Sequence, residues 1–511
     1  MSLPTDSPIS PSQAFLWGVS TSGYQHEGGY NGPNQPQNNW TWWEQAGRVE
    51  ETGEAARFWQ HYPKDFQNCR EMGLNGFRLS IEWPRVQPTT TAHRGAAPEF
   101  DYEALDGYCD RIAACRQFGL EPVVTLQHFT HPAWLGLDAW LSADTIKAYL
   151  SYVQVTVAHI NRRLVDHHQL PPLHWYITLN EPNILISNTY LKGDFPGDAW
   201  GPAAALRGYN HMLAAHVQAY NLIHDLYEAA GWPRPQVSLN TYCSDLYWSE
   251  KVIWDLLDLR QHPVNAETLR DYLAENARNW EKSLQAAELP QRQGAIYQIG
   301  RGLRRLANRI GRQVITGAAL GETYQALEAS PRSRVFDFIG LDYYDPFFAH
   351  SFQFPQLTDL TAGDKTDFRG RLMAGISRKW WDWHVLPEGL FFFCQEYSQA
   401  FDRCPILIAE NGMALQRTFN NHTANRRTDG LSRSEFLTAH LEQVKHLQQA
   451  GVPLLGYFHW SLIDNYEWGS YTPRFGLFAV DYMNGAERQQ ADHLGDRPAE
   501  TYAKLIRDAV Q

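Results

Sequence analysis

Three features of the 511-residue sequence predict an α/β fold, a (β/α)8 TIM barrel with helical and loop excursions. Short apolar runs recur along the chain, and a stretch with helical spacing separates each from the next, as parallel βα units require. The runs end in sudden clusters of polar groups, and strand tips are where a barrel carries its chemistry. Composition permits a large core, with 43% of residues hydrophobic, 13% aromatic, and 19 Trp and 25 Tyr. Length alone would admit two domains, but barrels with insertions run this long as one, so residues 1–511 read as a single domain.

Residues 14–19, AFLWGV, form the first strand and lead into the polar, glycine-rich STSGYQHEGG. Gly28-Gly29 lacks GxGxxG spacing and no Gly-Lys-Ser/Thr follows, so this is not a phosphate loop; Gln25 and Glu27 are its polar candidates. Helical spacing over 54–71 ends at Gly73, and NGFRLSIEW (75–83) is strand two. Arg78 interrupts that strand. An arginine inside a barrel must be paired, and a carboxylate at the strand tips is its natural partner. A helix over 102–118 and Gly119 precede strand three, LEPVVTLQHF, which ends at His128-Phe129. Trp134 follows in THPAWL, placed to line a cleft or pack in its wall. Ser142 is placed as the cap of a helix through about His159, and residues 173–179 are strand four.

A helix over 202–229 precedes strand five, PQVSLNTY (235–242). Residues 245–334 have no obvious strand and read as a divergent helical excursion, with the basic RRLANRIGRQ inside it a solvated helix face. VFDFIGLDYYDP (335–346) is strand six, with Asp342, Tyr343 and Tyr344 at its tip. WWDWHVLPEGL (380–390) is an aromatic loop that includes Trp381, and Gly389-Leu390 begins a helix. Cys404 to Glu410 is strand seven. Ser432 and Glu435 form the capping box of a helix to about Gln449, which Gly451 ends. VPLLGYFHW (452–460) is strand eight, with Trp460 at its tip and Glu467 and Trp468 just beyond in SLIDNYEWGS. A helix from about Glu500 closes the ring.

Two tips carry a carboxylate in the same setting. In HWYITLNEPN (His174 to Asn183) the apolar approach of Trp175, Ile177 and Leu179 gives way to Asn180-Glu181, with Pro182 breaking the run. In CPILIAENG (Cys404 to Gly412) Glu410 stands at the end. Two strand-terminal carboxylates point to general acid/base and nucleophilic work on a glycosidic bond. Abundant Trp also offers stacking surfaces for the apolar faces of sugar rings, although most of it fills the core.

The net charge of -12 argues against nucleic acid or an anionic membrane surface as main partner. None of the six Cys forms a CxxC, and no Cys/His cluster has structural zinc spacing, so they read as scattered, reduced core residues. No metal and no cofactor is expected. MSLPTDSPISPSQ lacks a basic region followed by an apolar run, which argues against a signal peptide, and no stretch is long and apolar enough to span a membrane. A cytoplasmic enzyme is the expectation. The sequence carries no signal for an oligomeric state.

Seven motifs then occur in order: YQHEG, GFRLSIEWPRV, LQHF, TLNEPN, DFIGLDYY, ILIAENG and HWSLIDNYEWG followed by RFG. With them the chain resembles glycoside hydrolase family 1, the retaining β-glucosidase and β-galactosidase group, from AFLWGVSTSGYQHEG through RFGLFAVDY (474–482). The resemblance implies a (β/α)8 barrel, needs no cofactor, and makes Glu181 the acid/base and Glu410 the nucleophile. Gln25, His128, Asn180, Trp460, Glu467 and Trp468 match its glycone-binding positions, and Arg78 and Tyr344 its nucleophile supports. Family myrosinases replace the acid with Gln, whereas this chain keeps Glu181.

The implied activity is exo-acting, retaining hydrolysis of β-D-glucosides, with galactosides and fucosides meeting the same glycone residues. Glu467 would repel a 6-phosphate, and the family's phospho-sugar branch uses small and cationic residues there, so non-phosphorylated substrates are favoured. Trp134, Trp381 and Asp342 are candidates for the aglycone side. The alternatives are a transglycosidase using the same carboxyl pair and a non-catalytic carbohydrate-binding protein. The chain departs from the family in three places. Asp342 stands where the family commonly has Asn, an extra carboxylate near the cleft that bears on water positioning, pH response or substrate preference. The loop HFTHPAWL differs from the HWDLP type, and 245–334 lacks the WFLDP-like segment. The last two leave the natural aglycone open.

Overall fold

Eight parallel strands close on one another in a computed structural model that describes residues 14–89, 97–290, 294–315, 319–353 and 375–510. They are β1 (Leu16–Ser20), β2 (Gly76–Ser80), β3 (Glu121–Thr125), β4 (Trp175–Asn180), β5 (Gln236–Tyr242), β6 (Ile339–Tyr343), β7 (Ile406–Asn411) and β8 (Leu454–Trp460). Each pairs with its neighbours in sequence, and β1 pairs with both β2 (Gly18 opposite Gly76) and β8 (Leu16 opposite Gly456), so no edge is left open. This is the expected (β/α)8 barrel. The expected reading of the N-terminus falls on residues 1–13, outside the described residues.

The strands read as apolar runs because both faces are covered. Leu16, Val123, Trp175, Ile177, Phe338, Leu407, Ala409 and Phe458 fill the barrel interior, and the other faces pack on helices. Gly18 is required by this filling, since a Cβ there would lie 2.4 Å from the Phe458 ring. The helices include α1 (Phe58–Met72), α2 (Tyr102–Gln117), α3 (Asp144–Asp166), α4 (Pro202–Ala230), α5 (Leu269–Ala286), α6 (Ala295–Val314), α7 (Gly321–Ala329), α8 (Pro387–Ala400), α9 (Arg433–Gln449) and α10 (Pro498–Val510). Ser432 and Glu435 make the expected capping box on α9.

Some boundaries differ from the sequence reading. Ala143, not Ser142, precedes α3, because Ser142 ends a short 3-10 turn over Ala139–Leu141; α3 then continues to Asp166. Strand six is only Ile339–Tyr343, so Tyr344 lies just past it. Helix α9 is capped at its end by Ala450, one residue before Gly451. The described residues of 245–334 include α5, α6 and α7. Trp280 on α5 packs against Phe392, Phe393 and Tyr397 of α8, which ties the excursion to the barrel's helical layer. Among the described residues no helix is long and apolar enough to cross a membrane. The six cysteines are free and buried.

Candidate active site

The C-terminal ends of β2, β4, β5, β6 and β7 bring five polar side chains into one buried cluster. Arg78 on β2 is its centre. The guanidinium donates from Nη1 to Glu410 Oε1 at 2.5 Å, from Nη2 to Asn180 Oδ1 at 2.5 Å, and from Nε to Thr125 Oγ1 at 2.9 Å. A fully buried cation needs this many acceptors, and the expected pairing with a strand-tip carboxylate is met by Glu410. Tyr344 adds a second donor, its hydroxyl 2.9 Å from Glu410 Oε2.

Local irregularities aim these groups. The β4–β5 pairing shifts register between Ile177 and Asn180, and the β6–β7 pairing shifts at Leu341/Asp342, so that Asp342 faces Glu410 across the ladder. Register shifts bend strands and redirect side chains beside active sites. Glu181 follows β4 in the left-handed backbone region, φ 37° and ψ 62°, with its N–H held by the Asn240 carbonyl at 3.0 Å. A non-glycine residue held there is strained, and such strain gathers at functional sites. Pro182 then starts a short helix.

Glu181, Asp342 and Glu410 each present an oxygen within 4.8 Å of the other two. Asn240 donates to both Asn180 Oδ1, at 2.8 Å, and Asp342 Oδ2, locking the two tips together. Three such oxygens would also suit a cation, but the positive group placed against the cluster is Arg78.

Burial and like charge decide the protonation states. Burial, the Asp342 charge and the Glu410 charge all push the Glu181 carboxyl well above the usual range. Burial and Glu410 push Asp342 up in the same way. Burial also raises Glu410, against the lowering expected from Arg78 alone. Arg78 and Tyr344 pull it back by direct hydrogen bonds, so Glu410 is the carboxyl of the three best able to ionise.

A second set surrounds this cluster. Glu467 Oε1 accepts from Trp460 Nε1 at 3.0 Å, and Oε2 from Gln25 Nε2 at 2.8 Å; Gln25 also reaches Asn465 Oδ1 at 3.0 Å. Burial pushes Glu467 up to about 8, against the hydrogen bonds from Trp460, Asn465 and Gln25. His128 lies between the Trp460 and Trp468 rings, 5.8 Å from each, and burial with the nearby Arg78 keeps it neutral. Among the described residues, Asn180 Nδ2, His128 Nδ1 and Glu181 Oε1 are buried without a hydrogen-bond partner. Unspent polar atoms grouped at these strand tips suit a polyhydroxylated ligand.

Eleven residues singled out in the sequence thus meet at one site: Gln25, Arg78, His128, Asn180, Glu181, Asp342, Tyr344, Glu410, Trp460, Glu467 and Trp468. Glu27, the other polar candidate of its loop, instead pairs with Arg85 at 3.1 Å, a structural ion pair. Trp381 belongs to an aromatic wall with Trp380, Trp383, Phe475, Tyr344 and Trp460. Trp134 packs on the main core, its backbone N–H 3.1 Å from Thr89 Oγ1. The sequence reading missed Asn240, Tyr242 and Trp383. Tyr242 stacks on Tyr344 at 5.6 Å, and Trp383 meets Tyr344 at 5.6 Å and Tyr242 at 6.1 Å. Asn240 and Tyr242 do sit at the end of an expected strand, the signal that picked out the carboxylates.

Comparison with known proteins identifies the family and the fold. The family model described as Glycosyl hydrolase family 1 matches residues 10–250 and 298–505, and the chain belongs to that family. A 6-phospho-beta-galactosidase of Staphylococcus haemolyticus is 25% identical over 485 residues, which cover 92% of this chain and 93% of that protein. Beta-glucosidase A of Thermotoga maritima is 26% identical over 477 residues, with shares of 92% and 93%. The structure of a beta-glucosidase from Thermotoga maritima in complex with noeuromycin aligns over 98% of both chains, at TM-score 0.66 and 21% identity, and shows the same fold. Family 1 glycosidases act on β-glycosides.

Proposed function

We propose that the chain is a retaining, exo-acting β-glycosidase that hydrolyses non-phosphorylated β-D-glucosides, and that residues 1–511 form one catalytic domain with 245–334 as an excursion. The observation that carries this reading is the approach of Glu181 and Glu410 to within 4.8 Å at their nearest oxygens, with Arg78 and Tyr344 both on Glu410. Retaining pairs stand about 5–5.5 Å apart, and inverting pairs about 6.5–9.5 Å to admit a water.

The roles follow from the charges. Glu410, ionised by its two donors, attacks C1, and the C1–O bond to the aglycone breaks. Glu181 enters protonated and gives its proton to the departing oxygen. The ester at Glu410 removes one negative charge, so Glu181 stays ionised and takes a proton from water. The water oxygen bonds to C1, and the Glu410 carboxylate is released. Asn180, through its free Nδ2, meets the 2-hydroxyl, where a hydrogen bond strengthens in the transition state. Gln25, His128 and Glu467 bind the outer hydroxyls, with Trp460 and Trp468 beneath and beside the ring. Tyr242, Tyr344 and Trp383 form the aglycone wall, with Trp381 further along it.

The name of the Staphylococcus haemolyticus relative supports a second reading, a 6-phospho-β-galactosidase. Glu467 favours the first. Its partners are Trp460, Gln25 and Asn465, all neutral, so a phosphate dianion placed in that buried setting would find no cation to compensate it. Aryl β-glucoside, β-galactoside, β-fucoside and their 6-phosphates, run side by side, test this. The glucoside is expected to turn over and the 6-phosphates not to; preference for a 6-phosphate overturns the substrate reading. An added alcohol acceptor tests the transglycosidase alternative, since transfer product exceeding free sugar favours it. Six free, buried thiols support placing the enzyme in a reducing compartment, the cytoplasm.

A further inference from the structure

Helix α6 inverts the usual relation of face to core. Its residues Ile299, Leu303, Leu306 and Ile310 follow 4-3-4 spacing, which puts them on one stripe. That stripe faces solvent, with exposures of 60%, 40%, 51% and 41%. The helix is held by a different side. A Cβ on Gly300 would lie 2.8 Å from Ala349, and one on Gly311 would lie 2.4 Å from Trp248, so two glycines let the helix lie flat on the loops beyond β5 and β6. Arg304 turns inward between Asp245 and Glu281, 2.8 Å from each. The other four arginines of the helix, Arg301, Arg305, Arg309 and Arg312, are exposed, and its twenty residues include no acidic one. Glu281 and Trp280, which support this platform, lie in the stretch between 250 and 298 that the family model does not match.

We propose that this face of α6 docks reversibly on an anionic lipid surface. An exposed apolar stripe with a row of arginines on the helix's other exposed side, and with polar residues at its remaining exposed positions apart from Ala295 and Gly302, is the pattern of an interfacial helix. The charge selects the occupant. A second copy would set one arginine row against another, and an isolated apolar patch that needed no charge would not require the row at all. On a chain whose net charge is -12, an acid-free helix with five arginines is a local exception, and arginines near an anionic surface are attracted to it. The docked helix would set the tips of β5 and β6, and so the mouth of the site, beside the bilayer.

Cosedimentation of the full chain with phosphatidylcholine vesicles, with and without phosphatidylglycerol, tests the proposal. Binding to the mixed vesicles alone, lost in high salt, is expected. Leu306→Glu with Ile310→Glu should weaken it about tenfold or more while soluble aryl-glycoside turnover stays intact. Arg305→Gln with Arg309→Gln, which leaves the stripe in place, should also weaken it and keeps the test open if the first variant misfolds. Equal binding to both vesicles, or no binding to either, overturns the proposal. So does a dimer by light scattering that the stripe variant converts to monomer, since a second copy then covers the face.

Discussion

The tips of β2, β4, β6 and β7 turn charge inward, and helix α6 turns apolar side chains outward. Both break the rule that puts charge in water and carbon in the core, but they are held in opposite ways. At the tips every irregularity is over-determined: Arg78 has three side-chain acceptors, and Asn240 braces two strands. At α6 the stripe is simply left free while glycines and Arg304 anchor another side. A buried charge must be compensated within the chain, whereas an exposed apolar stripe is compensated only by something outside it. The first region should therefore respond steeply to single substitutions and the second hardly at all in the isolated protein.

The steepest response is expected at Glu410. Glu410→Ala should lower kcat on an aryl β-glucoside on the order of 10⁴-fold or more, and turnover near the wild-type value would remove it from the chemistry. Arg78→Met leaves the Glu410 charge buried without its partner, so unfolding in urea should show a loss of about 3–5 kcal/mol. An unchanged denaturation midpoint would mean that the pair is not the brace described.

Asp342→Asn tests the third carboxyl. The Asp342 charge raises Glu181, and an amide in its place removes that charge and donates to the Glu181 carboxylate. The alkaline limb of kcat/KM should therefore move to lower pH; a limb that stays in place contradicts the coupling. Glu181→Gln should raise Tm at neutral pH. In the wild type the folded-state carboxyl titrates well above its unfolded range, so the unfolded chain ionises first and native stability falls as pH rises through that window. The gain should vanish below about pH 4, where both states are protonated. The smallest effect belongs to Leu306→Glu on α6, with kcat on a soluble glycoside unchanged and stability within about 0.5 kcal/mol. A large loss there would show that the stripe is core after all.

The barrel was legible because parallel strands are buried on both faces and read as apolar runs, as Cys404 to Glu410 does for β7. Glu181, Glu410 and Arg78 stood out because charge interrupts such runs. Asn240, Tyr242 and Trp383 did not. Their partnership with Asn180, Asp342 and Tyr344 depends on ladder register and loop path, and the sequence encodes neither locally. The upward shift of Glu410 is illegible in the sequence for a related reason: pairing with Arg78 is visible in the chain, but the depth of burial that outweighs it is not. Helix α6 shows the same limit. Periodicity marks an apolar stripe over 299–310, yet only the packing of Gly300 and Gly311 shows that the stripe is not the face that meets the barrel.

The relation between Glu181 and Glu410 is tested most directly by the anomer released first. Proton NMR of early hydrolysis of an aryl β-glucoside, recorded before mutarotation, should show the β-anomer of the free sugar, the product of two inversions through Glu410. The α-anomer as first product would mean a single displacement by water and would contradict the assignment of Glu410 as nucleophile.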